Sequence, residues 1–295
     1  MIAPIAAIEI CRFLHDAALL LLWGTAAFVA ALLPRPLVAV TIRRLGGLPM
    51  AAVLVALLTT LAMLPLEAAS IGDGWSDGVD ADVLGAVLFG STVGVALQAQ
   101  AAAGLLLLMA LAFRQRSRMV VMAIGAALGL GALALTGHAS MDQGVRLFAH
   151  RLNDSVHLLS GGAWLGALAP FVIVLNMLDI AEYHSDAQVA LRRFSRVGHG
   201  AVALVLATGL VNVGLTLGRW PTDWSSPYQR MLGLKIAAVC TMTGLAIVNR
   251  YIFVPAAAEH SVAAIRAMRI ASVFEIILGL AAVALVAMFG MLDPV

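Results

Sequence analysis

Charge is what this sequence has least of. Asp, Glu, Lys and Arg make up only 12% of its 295 residues, about half the share carried by an ordinary soluble domain. Charge so sparse excludes a nucleic-acid-binding surface, and the net +2 has meaning only loop by loop. Cysteine is nearly missing. Cys11 and Cys240 stand alone, with no CxxC. Cys11 is expected near one membrane face and Cys240 near the midplane, buried and inert, so no disulfide is expected between them. There is no GxxxxGK[ST] and no Cys-Pro-Cys, which excludes an ATP-driven pump of the usual kinds. No stretch between apolar runs is long enough for a soluble domain, so function must lie within a helical bundle or with a partner. The N-terminus lacks a basic n-region and a small-residue cleavage site, and its first apolar run is expected as a retained helix.

What is present in abundance is apolar sequence: 62% of residues, with a mean hydropathy of +1.00. Runs of about 20 nearly uncharged residues recur along the whole chain, the signature of a polytopic all-α membrane protein with one integral membrane domain over residues 1–295. Eight spans are expected, over 10–33, 48–66, 91–113, 119–137, 152–177, 196–217, 230–250 and 270–291. Asp82–Gly90 is apolar but short, and reads as a helical turn on the surface before the third span. Asp179–Arg193 and Pro255–Arg269 suit short interfacial amphipathic helices. The odd-numbered loops carry Arg35, Arg43, Arg44, Arg114, Arg116, Arg118, Arg192, Arg193, Arg196, Arg250, Arg266 and Arg269, twelve basic residues against four (Arg146, Arg151, Arg219, Arg230) on the other side. The second loop is acidic: Glu67, Asp73, Asp77, Asp80 and Asp82. The positive-inside rule then places both termini outside the cytoplasm.

The first and fifth spans share a pattern. His15 is followed by Trp23 and Gly24, and His157 by Trp164 and Gly166, with the glycine nine residues on in each case. This predicts two parallel four-helix repeats, 1–140 and 150–295. The glycines Gly161 and Gly162 suit close helix approach. Trp23 and Trp164 are too deep for an interfacial belt and are expected to pack near the histidine layer, whereas Trp75, Trp220 and Trp224 fit the outer interface.

Four of the seven histidines, His15, His138, His150 and His157, fall near predicted outer helix ends. Ionisable groups at membrane depth are expensive and default to a functional reading. His150, Asp154 and His157 share one helical face, as do Cys11 and His15. Imidazole, thiol and thioether together favour copper over magnesium or calcium. The candidate ligands are therefore His15, His138, His157, Met141, His150 and Cys11, with Asp154 and Asp16 as carboxylates that orient an imidazole. His138, after Gly137 at a helix exit, presents its ring to solvent. Against this, a histidine hydrogen-bonded across helices explains His15 or His157 equally, His150 suits a simple interfacial role, and methionines such as Met63, Met141, Met288 and Met291 are more often core filling. His184 and His260 are expected to be solvated in loops, and His199 to snorkel or pack.

The stretches Thr136-Gly137-His138-Ala139, Asp154-Ser155-Val156-His157-Leu158-Leu159 with Ala163-Trp164-Leu165-Gly166, Arg193-Phe194-Ser195-Arg196 with Thr208-Gly209, and Leu232-Gly233-Leu234-Lys235 through Asn249-Arg250 together resemble the bacterial copper resistance protein D family (CopD/PcoD). The resemblance covers about residues 136–250. It implies an eight-helix inner-membrane protein that handles copper, as Cu(I) or Cu(II), and admits it to the cytoplasm. It also implies a periplasmic copper-binding partner of the copper resistance protein C type, acting in trans, for which the acidic second loop is a candidate docking surface. His138 and His157 carry over as copper ligands, and His15 through the repeat. No enzymatic activity is expected. Two other functions fit the residues: a haem-b-binding membrane oxidoreductase or haem-handling protein with His15 and His157 as axial ligands, and copper delivery to a cuproenzyme at the membrane surface without transport.

Overall fold

A computed structural model describes residues 3–137, 142–258 and 262–294. Every regular element among them is helical. Helix α1 (Pro4–Ala27) continues into a π-helical stretch, Phe28–Leu32, and ends at Leu33-Pro34. The first loop then holds α2 (Arg35–Leu45), a helix that the sequence reading did not foresee. It buries Leu37, Val38, Thr41 and Leu45, and leaves Arg43 and Arg44 in solvent at its C-terminal turn, where cations suit the helix dipole. Next come α3 (Leu48–Ile71), α4 (Ala81–Gly90), α5 (Thr92–Ala110) and α6 (Gln115–Leu133). The short α4 is the expected surface turn. Asp80 caps its start, accepting from the Asp82 and Val83 N–H groups, and Ser91 caps α5 by accepting from Gly94 N–H.

The second half comprises α7 (Gly144–Leu165), α8 (Leu168–Leu175), α9 (His184–Leu217), α10 (Pro227–Val248) with a π-helical continuation Asn249–Phe253, α11 (Val254–Ala258) and α12 (Val262–Phe289). Pro4, Pro49 and Pro227 stand in the first turns of α1, α3 and α10, where a missing N–H costs nothing. Two expectations are corrected here. Asp179–Arg193 is not a separate interfacial helix: from His184 onward it is the first part of the 34-residue α9. Pro255–Arg269 likewise resolves into the end of α11 and the beginning of α12.

Among the described residues, seven segments are long and apolar enough to cross a membrane: Leu48–Ile71, Thr92–Ala110, Gln115–Leu133, Gly144–Leu175, His184–Leu217, Pro227–Ala256 and Val262–Phe289. Their outward faces carry exposed Leu58, Leu61, Val95, Leu105, Leu210 and Ile277, the composition expected of surfaces facing acyl chains. Helix α1 is the hub. It packs against α3, α6, α7 and α12, and its Ile8, Leu19, Leu22 and Ala26 are almost wholly buried.

The α1–α7 crossing is made of backbone. A methyl group on Gly24 would lie 2.2 Å from the Gly162 carbonyl oxygen, and one on Gly166 would lie 1.9 Å from the Leu20 carbonyl oxygen. Gly162 and Gly166 form a small-xxx-small pair, the device by which membrane helices approach closely. The Thr25 hydroxyl donates to the Gly166 carbonyl at 3.0 Å, and the Trp23 indole donates to the Leu159 carbonyl at 2.8 Å. Immediately after this crossing the helix breaks, separating α7 from α8. At one end of the bundle arginines dock on neighbouring elements: Arg116 donates to the Ala30 carbonyl and Arg193 to the Leu32 carbonyl, while Arg269 pairs with Asp179 at 2.7 Å.

Candidate metal site at the histidine layer

The described histidine-layer residues fall into two networks built on different helices. The first joins α1, α3 and α5. His15 is 5% exposed. Its Nε2 lies 3.1 Å from Gln100 Oε1 and its Nδ1 lies 2.9 Å from Thr59 Oγ1. Because Gln100 donates its amide N–H to the Gly129 carbonyl, its Oε1 faces the ring and can only accept. His15 Nε2 therefore donates to Gln100 Oε1, while the Thr59 hydroxyl beside Nδ1 donates back along its own helix to the Val55 carbonyl at 2.7 Å. Both ring nitrogens of His15 thus face polar partners on neighbouring helices. Cys11, also buried, donates its thiol to the Thr59 carbonyl at 3.4 Å. This is the cross-helix hydrogen-bonded arrangement, and Thr59 and Gln100 complete it from sequence positions far from His15. On the next position of α1, Asp16 Oδ1 is buried without a hydrogen-bond partner.

The second network joins α7 and α9 and ends differently. His157 Nδ1 lies 2.9 Å from Thr208 Oγ1. The Thr208 hydroxyl donates back to the Leu204 carbonyl, so it accepts from His157 Nδ1–H. That fixes the tautomer with the lone pair on Nε2, and no hydrogen bond engages Nε2 among the described residues. The network continues sideways. Asn153 donates to the Thr208 carbonyl and to Asn212 Oδ1, and Asn212 donates to Asp154 Oδ1 at 2.6 Å. Asp154 Oδ2 lies 3.9 Å from His150 Nε2. His150, 2% exposed, also meets Asp142 Oδ2 through Nδ1 at 2.8 Å, and Asp142 pairs with Arg146 at 2.9 Å. His150 thus sits between two carboxylates. Lys235 of α10 acts electrostatically on both Asp154 and His157.

The two networks share no residue. Among the described residues, no three of His, Cys, Asp and Glu come together closely enough to hold a metal ion. His138 and Met141, both expected as ligands, lie outside the described residues, as does His260. Of the described candidates, His157 and His150 each have Nδ1 held by an acceptor and an Nε2 that makes no hydrogen bond among the described residues, His150 Nε2 lying 3.9 Å from Asp154 Oδ2. His15 can enter a haem or copper site only by giving up Thr59 or Gln100.

Other expectations are revised. His184 is half-buried, its Nδ1 2.7 Å from the Leu178 carbonyl oxygen and its Nε2 3.0 Å from Gln188. Cys240 is exposed on the outside of α10 rather than buried. Trp164 does not pack in the histidine layer; its indole donates to Glu275 of α12 at 3.2 Å. Glu275, 2% exposed, went unremarked in the sequence reading. Its signal was plain: it is the one carboxylate inside the last apolar run.

Two family models match the chain: the copper resistance protein D-like N-terminal domain over residues 1–148, and copper resistance protein D over residues 188–289. The chain belongs to the copper resistance protein D family. It is 31% identical over 245 residues to the inner membrane protein YebZ of Escherichia coli (strain K12), a match covering 83% of each chain. It is 33% identical over 174 residues to copper resistance protein D of Pseudomonas syringae pv. tomato, covering 56% of each. The His15 network lies within the first matched segment. The second network is divided: Asp142 and Arg146 close the first segment, and Thr208, Asn212 and Lys235 lie in the second. His150, Asp154 and His157 stand between the two.

Proposed function

We propose that this protein handles copper ions in a bacterial inner membrane, taking them up at the histidine layer from the periplasmic side and passing them toward the cytoplasm. The observation that carries the reading is His157: a neutral imidazole, oriented through Nδ1 by Thr208, with an unengaged Nε2 in a chain of the copper resistance protein D family. His138, Met141 and His150 complete the site in this reading. Asp154 and Asp142 steady His150, and Cys11 and His15 take part only when the Thr59 and Gln100 bonds open. Eight spans, with α1 as the eighth, and both termini outside the cytoplasm follow from the arginine asymmetry. Two parallel repeats, 1–140 and 150–295, place His15 and His157 in equivalent positions.

A periplasmic copper-binding protein of the copper resistance protein C type is the partner we propose, meeting the exposed carboxylates of Asp73 and Asp82. The reading is tested by copper accumulation in cells and by uptake into proteoliposomes supplied with Cu(I) or Cu(II). His157→Ala and His138→Ala are expected to lower uptake in both assays, and wild-type uptake in both variants overturns the transport reading. Retained copper binding without uptake by the wild-type protein would instead identify delivery at the membrane surface.

A further inference from the structure

Away from the histidine layer, α8, α9, α12 and α10 with its π-helical continuation line an open cavity of about 550 Å³. Its walls are largely apolar, but Glu275, Ser272 and Asn249 line it together. Glu275 is 2% exposed and Ser272 0%. The Glu275 carboxylate accepts from the Asn249 side-chain amide at 3.0 Å and from the Trp164 indole at 3.2 Å. No cation pairs with it among the described residues. A carboxylate so buried is expensive when charged. Two further oxygens of the cluster, Ser272 Oγ and Asn249 Oδ1, are buried with no hydrogen-bond partner.

Those observations describe a buried acid, without a paired cation among the described residues, at the wall of a cavity. Two N–H donors serve the carboxylate. Two idle oxygens, Ser272 Oγ and Asn249 Oδ1, belong to residues that line the same cavity. Asn249 opens a π-helical turn, the kind of local widening that recurs at functional sites in membrane and soluble helices alike. We propose that Glu275 is a proton-exchange site, loaded and emptied through this cavity from the arginine-bearing end of the bundle. The step is a simple transfer: the proton moves between water in the cavity and a Glu275 carboxyl oxygen, with no other bond made or broken. An all-oxygen cluster is hard in character and does not suit copper, which favours imidazole and sulfur, so this site is distinct from the histidine layer and does not depend on it.

The ionisable groups around Glu275 are few. α9 contributes Arg192 and His199 to the cavity wall, and the continuation of α10 contributes Arg250 and Tyr251. α8 contributes none, α7 contributes only the indole of Trp164, and α12 contributes only Glu275 itself. Arg250 donates to the Ser195 hydroxyl, and His199 Nε2 lies 3.4 Å from the Tyr251 hydroxyl. Arg12 of α1, which also packs on α12, meets Met291 at the far end.

The test needs no copper. The full chain, reconstituted in liposomes, is titrated with pH while infrared difference spectra follow the carboxylic C=O band and fluorescence follows Trp164, isolated by subtracting a Trp164→Phe variant. One carboxylic band and the Trp164 signal are expected to titrate together, and Glu275→Gln is expected to abolish both changes. Glu275→Asp keeps an acid but moves it, so it is expected to shift the shared midpoint, which also serves if the glutamine variant does not fold. A titration unchanged in Glu275→Asp or persisting in Glu275→Gln overturns the proposal. So does a Trp164 signal that follows Na⁺ concentration at fixed pH, which would make the cluster a metal-cation site.

Discussion

Gly24 and Gly166 meet backbone to backbone: a methyl group on Gly24 would lie 2.4 Å from the Gly166 carbonyl carbon. Each glycine stands nine residues after a histidine, His15 in one case and His157 in the other. The positions that the sequence pattern matches across the two halves are thus pressed together at the centre of the bundle.

Gly24→Ala is expected to force α1 and α7 apart. The colliding atoms are main chain and cannot rotate away, so the cost is expected at the upper end of, or above, the roughly 1–3 kcal/mol typical of overpacking. Thermal unfolding in detergent checks this against Gly131→Ala, where a methyl group meets nothing within 4 Å and where alanine suits the helix better than glycine.

His15 and His157 are expected to separate by assay. His15→Ala strands Gln100 Oε1 in the interior, at a cost of about 1–3 kcal/mol for the unsatisfied group. It should lower the unfolding temperature strongly. His157→Ala should lower copper uptake while leaving the unfolding temperature closer to wild type, because its ring is only half-buried and engages a single hydroxyl.

Thr208→Val removes the acceptor that orients His157 while keeping the shape of the side chain. Loss of such an orienting partner typically weakens metal binding about 10–100-fold, and that weakening is the expected result in a copper titration of the purified protein. A Thr208→Ser variant retains the hydroxyl and should recover most of the affinity. Equal affinities in all three proteins would remove His157 from the site.

Asp73→Asn with Asp82→Asn is expected to slow association with a copper resistance protein C-type partner, most at low salt, where exposed charges steer encounter best. Asp80 is left intact in this test because it caps α4.

Most of the bundle was legible from hydropathy because each span must bury its own backbone hydrogen bonds within one apolar run. α4 was legible for the same reason on a smaller scale. α2 was not, since its arginines and short length hide an apolar stripe that only α8 and its neighbours make meaningful. The lower part of α9 was missed because a polar segment can simply extend a spanning helix beyond the membrane. For the candidate ligands, the hydrogen-bond partners that decide availability were not readable. What closes His15 is Thr59 and Gln100, 44 and 85 residues away, and no local pattern announces such partners. Cys240 was misplaced because depth along a helix says nothing about which side of it faces lipid.

Arg116 and Arg193 grip the carbonyls of Ala30 and Leu32 where α1 loosens into its π-helical end. Two of the arginines on which the expected orientation rests therefore also stitch the finished seam between α1, α6 and α9. A lysine preserves the count but not the planar fork. Insertion and final assembly can accordingly be uncoupled at two side chains, giving a protein threaded the right way round yet slack at one end.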